Sequence, residues 1–220
     1  MALWHIDTDK ARFDKLKTQE SFWQLVALAR AVNALRFVHV ALMGHETGEE
    51  TLKATRTRFN SFFFNCALLY EALLLVERLG RYYRDYSGFE KLHAILKDPF
   101  ARDLRESSLA SIRNHLAFHF DESEIGAQMA KTDMPPRFVS GEGDTNIDVY
   151  YHLADLCAVG AFAGFSLDET NAIDQLGQRI AGATDLAIRF TNAAEEFIVE
   201  VLSTEGWEAK DSGQNDDKRS

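Results

Sequence analysis

The chain has 220 residues, 46% of them hydrophobic and 26% charged, with a formal net charge of −10. That length can bury a real core in one domain, and the charge argues against a protein that coats duplex DNA by broad electrostatic attraction. Sixteen phenylalanines against three prolines point to long helices with few enforced breaks.

The N-terminus lacks the basic-then-apolar layout of a signal peptide, and no apolar run reads as long enough to cross a bilayer, so a cytoplasmic chain without membrane contact is expected. The first long helix is predicted over 19–43, with Thr18 as N-cap and Gly44 as stop. Phe22, Leu25, Leu28, Ala29, Val32, Leu35, Leu42 and Met43 make its apolar face, and Arg36 and His39 project from that same face. A second long helix is predicted from about Glu49 to Leu79, ending at Gly80. Leu52, Phe59, Phe62, Phe63, Cys66, Leu69, Tyr70 and Leu73 lie on its main face, and Phe64, Leu68 and Leu75 form a second stripe. A helix apolar on two sides is central in a bundle or part of a subunit interface. Cys66 and Cys157 both sit in apolar stretches and read as small buried residues rather than a disulfide.

Residues 81–88 read as a tyrosine-rich connector and 89–97 as a short helix. Asp98-Pro99 then opens a further helix, to about Phe120, with an N-cap aspartate and proline in the first helical position. On continuous α-helical geometry, Leu109, Ile112, Leu116, Ala117 and Phe120 gather into one apolar arc, Arg113 projects from its middle and His119 lies at its edge. A charge in such a position requires a partner or a task. Residues 121–146 carry Pro135-Pro136 and the turn Gly141-Glu142-Gly143-Asp144. Here a short helix capped by Asp121 and Glu124 is expected, followed by a small hairpin pairing Phe138-Val139 with Ile147-Asp148-Val149. Two more helices are predicted over 149–163 and 169–203, and a disordered acidic tail over 204–220. The fold class is an all-α, multi-helix up-down bundle with a loop-rich insertion and small β-hairpin within 121–149, and residues 1–203 form one helical domain.

Arg113-Asn114-His115-Leu116-Ala117-Phe118-His119 is the segment richest in chemistry. The pattern Arg-Asn-x4-His on a bundle helix resembles the signature of the HEPN superfamily, small helical proteins of bacterial toxin–antitoxin, abortive-infection and RNA-processing systems. The resemblance covers about residues 19–120, with 121–203 as a helical extension. Five residues separate Arg113 from His119, one more than the family's commonest spacing. The resemblance implies a metal-independent RNA endonuclease acting as a homodimer, with no cofactor and with an antitoxin protein as a further partner. Arg113 would stabilise phosphate charge, His119 would act as general acid/base and Asn114 would orient by hydrogen bonding. His115, Arg36 and His39 are the residues expected to contact substrate. A dimer formed by the helix at 49–79 or by the motif helix is equally compatible with the sequence.

Three other readings compete. Arg113 could make a buried ion pair with Glu77 or Glu71, leaving His119 as a helix C-terminal residue in a non-catalytic interaction protein. His115 and His119, four apart, could share a metal ion if His39, His45, Glu46 or Asp121 converged on them. Arg56, Arg58 and the group Arg81-Tyr82-Tyr83-Arg84 could stack and pair with single-stranded RNA, or be solvated faces.

Overall fold

A computed structural model describes residues 4–43, 52–109, 122–131, 140–141, 149–150, 157–160 and 172–211. In chain order these form β1 (Trp4–Asp7), α1 (Lys10–Leu16), α2 (Glu20–Met43), α3 (Leu52–Tyr83), α4 (Ser87–Lys97) and α5 (Pro99–Asp103). Next come a π-helical stretch (Leu104–Leu109), α6 (Glu122–Met129), β2 (Ser140–Gly141), β3 (Val149–Tyr150), a helical piece α7 at 157–160, α8 (Ala172–Thr204) and β4 (Glu208–Asp211). The architecture is an all-α multi-helix bundle, as the sequence predicts.

Four helices make the core. α2 packs along α3, α4 along α8, and α8 also lies against α2. Leu25, Leu28 and Leu35 of α2 meet Cys66, Leu69, Leu73 and Val76 of α3, with Leu92 of α4 and Leu186, Phe190 and Phe197 of α8 closing the interior; all are almost fully buried. Cys66 and Cys157 are free and buried, and burial pushes both thiols up. Tyr83 is buried too, its ring set edge-on to Tyr86 and Phe197, so it belongs to the core and not to an exposed stacking platform.

The structure departs from the sequence reading at several boundaries, each for a local reason. Thr18 does not cap α2; its hydroxyl donates back to the Lys15 carbonyl at the end of α1. α3 runs through Gly80 to Tyr83, and a Cβ at Gly80 would lie 3.2 Å from the Phe89 ring of α4. The glycine there admits a neighbouring ring instead of ending the helix. β2 pairs antiparallel with β3, Ser140 opposite Tyr150 and Gly141 opposite Val149, so a hairpin is present but with a longer connection than the Gly-Glu-Gly-Asp turn. Residues 149–150, predicted as the start of a helix, belong to that ladder.

The beginning of the predicted tail is also ordered. After α8, Gly206 adopts φ +75, the Gly206 N–H bonds to the Ser203 carbonyl and the Trp207 N–H to the Leu202 carbonyl. That is a Schellman reversal, which only glycine enters without steric cost. It turns the chain back so that β4 pairs antiparallel with β1, from Trp4–Asp211 to Asp7–Glu208, and the Arg12 guanidinium holds the Gly206 carbonyl. Two helices, at 20–42 and 57–83, are long and apolar enough to span a membrane by length and composition, contrary to the sequence reading. The second spends most of that apolar surface inside the core, the first much less.

Among the described residues three helix starts are capped by carboxylates, the first being α1, where the Asp9 Oδ1 accepts from the Arg12 N–H at 2.8 Å. The Asp98 Oδ1 accepts from the backbone N–H groups of Phe100 at 2.8 Å and Ala101 at 3.3 Å, the cap expected from Asp98-Pro99. α4 has no side-chain cap of its own. Instead Glu200 of α8 reaches across, accepting from Ser87 N–H at 3.1 Å, Ser87 Oγ at 2.9 Å and Gly88 N–H at 2.5 Å. The carboxyl of Asp98 is held below its ordinary value of 3.8, first by Arg189 and then by the capped amides; that of Glu200 is held below 4.5, first by the Gly88 N–H. Ionised, both stabilise the fold above the values they recover on unfolding, and that contribution is lost as pH falls through 4.5 and 3.8 toward the folded values. Asp98→Ala should therefore cost about 1 kcal/mol at neutral pH. Its thermal midpoint should also fall less steeply than that of wild type as pH falls below 3.8, as followed by circular dichroism.

Candidate functional site

Arg113, Asn114, His115 and His119 lie outside the described residues, as do His45, Glu46 and Asp121. What the structure does show is how the chain is delivered to them. α5 begins at the Asp98 cap, and Arg189 of α8 ties down the same carboxylate, its Nη1 at 3.0 Å from Oδ2. Phe100, in the next turn, lies on α8 at Gly182, where an added Cβ would come within 2.1 Å of the ring. The start of the motif segment is thus capped by its own Asp98 and clamped to α8 by an ion pair and a close ring contact.

The helix then widens. Residues Leu104–Leu109 are π-helical, and Leu109 at the end of that stretch is fully buried. A π turn accommodates an extra residue and rotates everything after it relative to an unbroken α-helix. The helix predicted as continuous α from Pro99 to about Phe120 is therefore π-helical at 104–109, ahead of the arc residues Ile112 to Phe120, which lie outside the described residues. Single π turns within helices occur frequently at functional sites.

Within the π stretch Arg105 is half-buried, and its Nη1 donates to Glu77 Oε1 of α3 at 2.6 Å. Glu77, one of the two carboxylates considered for a buried pair with Arg113, is thus engaged by a different arginine. The same contact offsets the charge of Arg105.

Arg36 and His39 are brought together in a groove of about 190 Å³ between α2 and α8. Leu35 and Ala187 are its buried floor; Thr191 and Asn192 supply polar groups from α8. Arg36 is half-exposed and hydrogen-bonds Glu195 of α8, so an anion entering the groove would compete with a carboxylate for it. His39 is half-buried. The groove can offer an imidazole, an amide and an arginine to a small polar group, with apolar walls on either side.

The sequence reading missed one surface. Besides the face of α2 that enters the core, Trp23, Val26, Phe37 and Val40 stand out to solvent. Their spacing of three, eleven and three residues, bridged by Arg30 and Asn33, was legible as a second stripe. No family model, curated protein or solved structure matches the chain.

Proposed function

We propose that the chain is a metal-independent RNA endonuclease of HEPN type acting as a homodimer, with Arg113 on the phosphate and His119 as general acid/base. The observation that carries the reading is the Arg-Asn-x4-His motif at 113–119, on a segment launched from a clamped, capped helix start within an all-α bundle. The π-helical stretch ending at Leu109 and the engagement of Glu77 by Arg105 support a task for Arg113 other than pairing with Glu77.

The chemistry follows from the residue types. His119, neutral, takes the proton of the RNA 2′-hydroxyl as its oxygen attacks the adjacent phosphorus. The P–O5′ bond breaks, and an imidazolium returns a proton to the departing 5′-oxygen. Products are a 2′,3′-cyclic phosphate and a 5′-hydroxyl, with no net proton consumed. Arg113 donates to the non-bridging oxygens, where negative charge grows in the pentacoordinate state. Asn114 orients the phosphate or the imidazole by hydrogen bonding, and His115, Arg36 and His39 are substrate contacts. A test is to replace the nucleotide 5′ of each cut by its 2′-deoxy analogue. Cleavage should stop there, whereas cutting that survives would place the nucleophile elsewhere.

A second reading, a non-catalytic interaction module, is favoured by the exposed apolar stripe on α2 and by the neutralisation of Arg36 by Glu195. In that case the motif residues are dispensable for partner binding, and His119→Ala leaves it unchanged.

A further inference from the structure

The exposed stripe of α2 has an internal order that selects its occupant. Trp23, Val26, Phe37 and Val40 are exposed by 56, 53, 75 and 67%. Together with the exposed Arg30 and Asn33 they form one seam with alternating spacings of three and four residues along α2. This is the 3.5-residue repeat by which two helices pack lengthwise, and the seam is about 26 Å long. Along it the residues run apolar, apolar, polar, polar, apolar, apolar, the same from either end.

We propose that a second copy of this chain covers this face, with α2 packed antiparallel on the partner's α2 about a two-fold axis midway between Arg30 and Asn33. In that arrangement Trp23 lies opposite the partner's Val40, Val26 opposite the partner's Phe37, and Arg30 opposite the partner's Asn33. Each large ring meets a small β-branched side chain, and the guanidinium meets an amide oxygen that can accept from it. A parallel arrangement would stack Trp23 on itself and oppose two Arg30 charges. Ala27, Ala34 and Ala41 repeat every seven residues along one flank and let the backbones approach. The contact is self-complementary and closed, as a two-fold interface must be. A bilayer would welcome the two apolar ends but leave Arg30 and Asn33 in hydrocarbon at mid-helix. Arg36, on the flank of the seam, falls opposite the partner's Ala27, so the α2–α8 groove opens beside the interface.

This interface uses neither Arg113 nor His119 and stands whether or not the chain is a ribonuclease. Light scattering on the eluting full chain should give twice the 24.9 kDa of one copy. The pair Val26→Glu with Phe37→Glu should return it to the single-chain mass with an unchanged helical spectrum. Independently of that variant's folding, Trp23→Cys protein mixed with Val40→Cys protein should form covalent dimers on mild oxidation, while each alone should not; Cys66 and Cys157 are buried and do not interfere. A single-chain mass for wild type, a dimer indifferent to the glutamates, self-crosslinking of Val40→Cys, or monomer floating with neutral lipid vesicles would overturn it. A catalytically inert dimer would overturn the ribonuclease reading alone.

Discussion

His119→Ala is expected to lower the rate of RNA cleavage by at least about 10²–10⁴-fold while the protein stays folded. General acid/base transfer by a positioned imidazole is worth that much. Arg113→Ala should act as strongly, because the charge it meets develops in the transition state and not in the bound RNA. For both variants the thermal midpoint should remain within about 2–4 °C of wild type, roughly 1 kcal/mol for a chain of this size. Stability is the discriminating readout. If Arg113 were instead one half of a buried ion pair, its removal would strand a carboxylate and cost about 3–5 kcal/mol. Double-mutant cycles of Arg113 with Glu71 and with Glu77 test such a pair directly.

Phe197→Ala should be the most damaging single core truncation in α8. The ring is fully buried and meets Tyr83 at 5.3 Å and Phe89 at 5.8 Å between centroids, both edge-on, with Tyr86 at 6.4 Å. It therefore joins the end of α3, the connector and α4 to α8 at one point. Truncation removes the ring's transfer free energy and leaves a cavity among aromatic neighbours too stiff to collapse into it, a loss of about 3–5 kcal/mol. Against a total of about 5–15 kcal/mol for a domain, that is a large fraction. Urea unfolding should show the midpoint falling with little change in slope, and a shift below about 1 kcal/mol would contradict the packing described.

Much of this bundle was legible because its helices state their own periodicity. The buried face of α2, the burial of Cys66 and the Asp98 cap are local facts of sequence, and the structure repeats them. What escaped was set by contacts between distant segments. Gly80 looks like a stop until Phe89 is placed against it. Glu200 caps α4 from more than 100 residues away, and no pattern near Ser87 reveals it. The pairing of Trp4–Asp7 with Glu208–Asp211 joins segments that each read as loose ends. For the candidate site, Arg36 and His39 do share a groove, but the partner that occupies Arg36, Glu195, lies on a different helix and could not be read from α2. The π-helical stretch at Leu104–Leu109 is the sharpest case: 100° steps cannot foresee a wider turn within a helix predicted as continuous α.

The measurement that tests the central claim most directly is cleavage of a mixed single-stranded and structured RNA pool in EDTA, wild type beside His119→Ala. The ribonuclease account predicts wild-type cleavage that persists in EDTA, leaves 2′,3′-cyclic phosphate ends and disappears in the variant. Wild-type protein, folded and dimeric, that cuts no more than His119→Ala would contradict it.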